Sequence, residues 1–488
     1  MKTPFKAPLK TPFKTSFKVT ALALMVGTLS ACAVGPDYLA PEQVKDVPFS
    51  SPYKPSNQAL NWWQAFDDEV LNRLIDKALV ENRSLAQAQA NVGRAYALFH
   101  DADNNSVPAG SLDTGYQAYK NSTLASSDDG IVSRGFSTGV NLSWDIDLFG
   151  KLQRASEAAQ AHAQQADVLW RDAQLQIISQ VAISYGDYRG AQLRLQVAQE
   201  NLDNLEQSRA IVVARLDAGM ASELELARMD AQLYSVKVSI PAYESQLQSA
   251  DAALSTLLAQ RPGRLSLDQL SLDKLSLNKK GKSPHLIRLP QLQQPVAIVE
   301  GENYLRYRAD VASSERALAA STAQIGVVTA DLYPNVSIGG FLGFLSGPGY
   351  SLNSGSQSWS VAPTLSWQAA DLGSVRARIH AAEASSRMAL ADFEQSVFTA
   401  LNEMSLALKN YNLSRQQELM TALQREASQK AVSIARQRYN AGSGEFLELL
   451  DAERELLRSR DQQAQLEQQT FTRLVSVYRV FGGGIKVL

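Results

Sequence analysis

Chemistry needs reactive side chains gathered in one place, and this sequence offers few. Its single cysteine, Cys32, excludes an internal disulfide, a cysteine-based zinc site and a CxxC redox pair. The four histidines, His100, His162, His285 and His380, are scattered, and no HExxH, P-loop or GxSxG stands in a suitable context. With no nucleophile beside a base and no ligand cluster, the residues predict neither an enzyme, a metal site nor a cofactor. What remains is charge beside glycine turns. Asp217 to Ser222 and Asn440 to Glu445 each contain a glycine that can terminate a helix. Beyond the second turn, Glu448 and Asp451 stand three apart on one helical face. Around a symmetry axis such carboxylates make stacked acidic rings that select cations or repel anions at a constriction. Taken singly they are solvated helix charges worth little.

The chain has 488 residues, 45% apolar and 20% charged, a globular rather than a disordered balance. Lys2, Lys6, Lys10, Lys14 and Lys18 precede an apolar run from Val19 to Leu29, and small residues Ser30 and Ala31 precede Cys32. That is the layout of a secretory signal, too short to span a bilayer. Leu29-Ser30-Ala31-Cys32 also resembles the bacterial lipobox, which implies cleavage before Cys32 and acylation of its thiol, the one covalent lipid expected here. Ala33 rather than Asp after the cysteine implies, by the same resemblance, sorting to the outer membrane. Without the signal, 42 basic residues face 49 acidic ones, a balance that predicts no nucleic-acid partner.

An internal repeat organises the rest. Ala214-Arg215-Leu216-Asp217-Ala218-Gly219 recurs 223 residues later as Gln437-Arg438-Tyr439-Asn440-Ala441-Gly442, and the same offset relates Glu225 to Glu448, Asp230 to Glu453 and Ser143-Trp144 to Ser366-Trp367. The expected division is a lipoprotein signal at 1–31, a lipidated segment at 32–70, one copy at 71–259, a connector at 260–304 and a second copy at 305–488. Each copy predicts a helix, two strands and two very long polar helices. Phe136, Thr138, Val140, Leu142, Trp144 and Ile146 alternate with small polar residues, and Trp359, Val361, Pro363, Leu365 and Trp367 do the same. Leu112 to Ala118 and Val336 to Phe344 complete four segments of bilayer-crossing length, although a half-buried soluble sheet uses the same period. Lys151 to Asp217 and Val375 to Asn440 are nearly free of Gly and Pro, which predicts continuous helices on the order of 100 Å at 1.5 Å per residue. Heptads Leu195, Ala198, Leu202, Leu205, Val212, Leu216 and Leu450, Leu457, Ala464, Phe471, Tyr478 predict helix packed on helix.

Four strands cannot close a barrel in lipid, where open edges are not viable, so several copies must combine. Three chains supply twelve strands, whereas two give eight, too narrow for an open duct. The expected fold is therefore an α+β membrane protein, a trimeric 12-stranded barrel continuous with a long periplasmic helical barrel. A coiled-coil lipoprotein tethering envelope layers is the alternative; it leaves four symmetric strand segments without a use.

Five motifs in order carry a resemblance over essentially all of the mature chain. They are Cys32-Ala-Val-Gly-Pro36-Asp37-Tyr38, Asn61-Trp62-Trp63-Gln-Ala-Phe66, Trp144-Asp-Ile-Asp147-Leu148-Phe149-Gly150, Arg438-Tyr439-Asn-Ala-Gly442 with Leu449-Leu450-Asp451-Ala452, and Gly482-Gly483-Gly484. Together they resemble the TolC-like outer membrane factor family, within it the lipidated OprM/NodT-type branch. The family's Arg-Pro-Asp-Val reads Arg308-Ala309-Asp310-Val311 here, and the second strand-to-helix turn, Gln368 to Gly373, lacks an equivalent of Phe149. The resemblance implies a passive, gated export duct that docks a periplasmic adaptor (membrane fusion) protein and an inner-membrane transporter of the RND type. It implies a periplasmic gate at the helix tips formed by Arg438, Tyr439, Glu448 and Asp451 of the second copy and Glu225 of the first. Glu225 lies within plausible reach of Tyr439 or Arg438.

Overall fold

A computed structural model describes residues 33–41, 54–55, 57–120, 132–261, 263, 289–290, 297–298, 305, 308–347 and 353–484. Cys32, the signal segment and most of the connector lie outside the described residues.

Strand β1 (Lys54–Pro55) pairs in parallel with β4 (Ala297–Ile298). Between them in sequence come a 3-10 segment (Asn57–Phe66), α1 (Glu69–Glu81), α2 (Arg83–Asn104), β2 (Ala109–Lys120), β3 (Val132–Ile146), α3 (Lys151–Asp217) and α4 (Glu223–Leu257). Then follow α5 (Ala309–Thr329), β5 (Asn335–Ser346), β6 (Gln357–Ser366), α6 (Leu372–Asn440) and α7 (Phe446–Val480). Helix, strand pair, long helix and shorter helix thus occur twice in order. In each copy the first long helix runs as its composition predicts, 67 and 69 residues. The second is shorter, 35 residues in both α4 and α7, and α4 ends two residues before the expected boundary at 259. Helix α4 closes with Ala259 at φ +52 and the Gln260 amide reaching back to the Ser255 carbonyl at 2.8 Å, and the Asn82 side-chain amide satisfies the Leu257 carbonyl at 2.8 Å. The same Asn82 accepts from the Ser84 and Leu85 amides and so starts α2.

The described residues form two compact units, each drawing on both halves of the sequence. One takes Met1–Pro41, Gly93–Gln165 and Glu315–Asp392 and holds an antiparallel sheet in the order β2-β3-β5-β6. Its register places Leu112 opposite Val140, Val140 opposite Leu342 and Leu342 opposite Trp359, so one face is a continuous apolar layer. That layer is open to the surroundings: Leu112 is 77% exposed and Trp359 73%. At the sheet's end the indoles of Trp144 and Trp367 donate to the carbonyls of Ser106 (3.0 Å) and Leu332 (3.1 Å).

The other unit takes Glu42–Val92, Ala166–Ser314 and Phe393–Leu488 and holds the main core. Trp62 stacks on Tyr478 with ring centroids 4.8 Å apart and meets Trp63 and Phe66 edge-on. Gly186, inside α3, exists for close approach: a Cβ there would lie 2.5 Å from a ring carbon of Phe471. The second heptad set is buried or half-buried throughout, from Leu450 to Tyr478.

Candidate functional site

The two glycine turns close in the same way. Gly219 and Gly442 both take φ +72, and the amides of Met220 and Ser443 reach back to the carbonyls of Arg215 (2.7 Å) and Arg438 (2.9 Å). This six-to-one bond is a Schellman cap, which needs a residue that tolerates the left-handed region. Ser222 then caps α4 by accepting from the Glu225 amide. Beneath the turns lies a small core of Leu205, Val212, Met229, Tyr439, Phe446, Leu449 and Leu450, which fixes the directions of the charged side chains around it.

Tyr439 is 4% exposed, and among the described residues its hydroxyl finds no hydrogen-bond partner. Its ring carries the guanidinium of Arg215 at 4.3 Å, and Arg215 Nη1 donates to the Tyr439 carbonyl at 2.9 Å. Burial raises the phenol above its ordinary pKa; the Arg215 charge pulls it back and the Glu225 carboxylate pushes it up. Glu225 therefore faces Tyr439 electrostatically, from the first turn of α4. Arg438 takes Glu448 instead, at 3.2 Å, with both side chains about half exposed. Asp451 is exposed and lines a cleft of about 670 Å³ with Gln232, Arg454 and Asp461. In that cleft Arg194 forks onto Asp461 (2.8 and 3.0 Å), and Tyr243 donates to the same carboxylate.

The sequence placed Arg215 and Glu453 in the repeat but gave neither a site role, and both belong to this region. Glu453 is 5% exposed; its Oε1 accepts from Ser208 Oγ (3.0 Å) and Arg436 Nη2 (2.8 Å), tying α3, α6 and α7 together. A signal was available: Arg215 stands where Arg438 stands in the other copy, and Glu453 where Asp230 does, which itself pairs with Arg209. Among the described residues no cluster of His, Cys, Asp and Glu could hold a metal ion, and no helix is long and apolar enough to cross a membrane.

Cys32 lies outside the described residues, but the segment that follows it is docked. Val34 donates to the Phe149 carbonyl (3.1 Å), and Arg154, only 5% exposed, donates to the Val34 carbonyl and pairs with Asp37 at 2.6 Å. The Tyr38 hydroxyl donates to Glu315 (2.9 Å), and Arg316 lies over its ring. Burial, and next to it the Glu315 charge, raises the Tyr38 phenol pKa, so this donor stays protonated across ordinary pH. Asp37 and Tyr38 were legible as a motif; their partners more than a hundred residues away were not.

The sequence profile of the outer membrane efflux protein family matches residues 74–260 and 302–483. The chain is similar to the cation efflux system protein CusC of Escherichia coli, 29% identical over 470 residues that cover 93% of this chain and 97% of that protein. It is similar to outer membrane protein OprJ of Pseudomonas aeruginosa, 28% identical over 473 residues, 96% of this chain and 95% of that one. Among solved structures, the outer-membrane channel OprN matches with a TM-score of 0.85 at 37% identity, covering 93% of this chain and 99% of that chain. With the profile spanning most of the sequence and the α+β fold shared nearly end to end, the chain belongs to the outer membrane efflux protein family, and it is an efflux channel of the outer membrane.

Proposed function

We propose that three copies of this chain form one passive duct, gated at the glycine-turn tips, that carries small molecules from an inner-membrane transporter to the exterior. One observation supports the trimer above others. Among the described residues the four-stranded sheet has two unpaired edges, β2 and β6, and an exposed apolar face, which lipid tolerates only in a closed barrel. Three sheets give twelve strands. The helices favour the same assembly: Leu406, Leu413, Met420 and Ile434 on α6 repeat at multiples of seven and are all exposed, as are Leu224 and Val238 on α4. Neighbouring copies cover such seams in a ring.

In this reading residues 1–31 are removed as a signal, Cys32 is acylated, and the docked strap from Ala33 to Tyr38 holds the acyl chains at the end of the sheet. The copies at 71–259 and 305–488 flank the connector at 260–304. Arg438, Tyr439, Glu448, Asp451 and Glu225 form the periplasmic gate, with acidic rings of Glu448 and Asp451 at the constriction. The duct performs no catalysis and holds no cofactor. Energy and most cargo selection come from the inner-membrane partner, of the RND type, joined through a periplasmic adaptor. The test is the purified mature protein: native mass spectrometry gives three chains per particle, and planar bilayers show discrete conductance steps. A monomer without pore activity refutes the proposal.

A further inference from the structure

The polar face of the sheet carries a side-chain arrangement that no part of the gate uses. Among the described side chains this face is built of Ser, Gly, Asn, Gln, Thr and Ala, with two large apolar exceptions, Phe341 and Leu345, both on β5. It carries two charges, Asp113 and Asp145, and no Lys or Arg. Phe341 is half-buried, and the far end of its ring reaches over the directly paired Gly139 and Gly343. A Cβ at Gly139 would sit 2.7 Å from two ring carbons, Cε2 and Cζ, and one at Gly343 2.8 Å from the same Cζ. Gly139 pairs on its other side with Asp113, so the ring lies one strand spacing, about 4.8 Å, from the strand that bears the carboxylate. That carboxylate is fixed: Ser111 Oγ and Asn141 Nδ2 both donate to Asp113 Oδ2 at 2.6 Å. Asn141 is in turn the residue directly across from Phe341.

We propose that Phe341 and Asp113 form a binding station on the lumen wall for organic cations with a planar apolar body. The proposal rests on the barrel reading above, which turns this face inward. The ring face attracts a cation through its quadrupole and an apolar plane through stacking. The carboxylate supplies the complementary charge, and the absence of basic side chains on this face leaves it uncancelled. A ring that only filled the hole above two glycines has no need of an oriented carboxylate beside it. Twelve strands at about 4.8 Å spacing and about 40° tilt enclose a bore of roughly 12 Å backbone radius. A ring lying along that wall leaves the bore open, so three such stations delay cargo rather than block the passage.

The experiment uses single-channel recording of the full mature protein with ethidium, tetraethylammonium or anilinonaphthalene sulfonate added to the extracellular side. Ethidium produces resolved blocked intervals in the unaltered channel. Phe341→Leu, which keeps apolar cover over the glycines, and Asp113→Asn, which keeps the hydrogen-bond geometry, each shorten those intervals roughly fivefold, the scale of a partly desolvated cation–π contact. Tetraethylammonium, a cation without a ring, and the aromatic anion give brief block that neither variant alters. Blocked intervals for ethidium that are the same in both variants and the unaltered channel overturn the proposal, as does equal block by the anion. Normal pores with that result leave the channel reading standing; no pores from the unaltered protein defeat that reading and this proposal with it.

Discussion

Arg215→Ala is the sharpest probe of the tips. The side chain makes two contacts across the hairpins, a 2.9 Å donation to the Tyr439 carbonyl and a 4.3 Å approach to the Tyr439 ring. A charged hydrogen bond contributes about 1.5–3 kcal/mol and an exposed cation–π contact about 0.5–1. Arg215 is only half-buried, so the lower ends apply, about 2 kcal/mol together. If these contacts exist only in the closed tip, their loss shifts the closed–open balance by about 30-fold, since 1.4 kcal/mol is a factor of about ten. The assay is open probability in planar bilayers at fixed salt, with thermal unfolding of the trimer as control. Arg215→Lys keeps the charge but loses the planar fork, and falls between the two. Should Arg215→Ala leave open probability within twofold of the unaltered channel while the trimer melts normally, the link does not hold the gate.

Four further outcomes are expected. Glu448→Ala with Asp451→Ala raises single-channel conductance and weakens divalent-cation block; unchanged conductance and block remove both residues from the constriction. Trp62→Ala, which opens the stack on Tyr478, lowers trimer stability by about 3–5 kcal/mol in denaturant titration without changing conductance. Gly343→Val drives a side chain into the Gly139 backbone and abolishes the trimer band in unheated gels, whereas Gly219→Asn is tolerated because Asn also visits the left-handed region. Asp172 has its carboxyl pKa raised by burial, so its contribution favours the folded state at low pH and is lost as pH rises through the raised value. Asp172→Asn therefore raises the melting temperature at pH 8 and leaves it unchanged near pH 4.

The ends of α3, the C-terminal end of α6 and the four strands were legible because local rules decide them. Alternation set the strands, and a glycine at the required left-handed position set Asp217 and Asn440 as helix ends. Local rules fail where a distant group decides. The boundary at 259 was legible, but the group that satisfies the last carbonyl of α4, the Asn82 side chain 175 residues earlier, was not. The partners of Asp37 and Tyr38 were equally out of reach. The repeat shows why a duplicated pattern does not yield a duplicated site. Arg215 and Arg438 are equivalent by offset, as are Glu225 and Glu448, but only Arg438 and Glu448, inside one hairpin, form an ion bridge, whereas Arg215 turns to Tyr439. In the first copy the position after the arginine is Leu216; in the second it is Tyr439, and that aromatic ring draws Arg215 across to the other hairpin. The outermost crossing link, Arg215 on Tyr439, therefore sits above the apolar core shared by both hairpins and the Ser208–Glu453–Arg436 knot, and it is the contact whose loss the Arg215→Ala experiment reads.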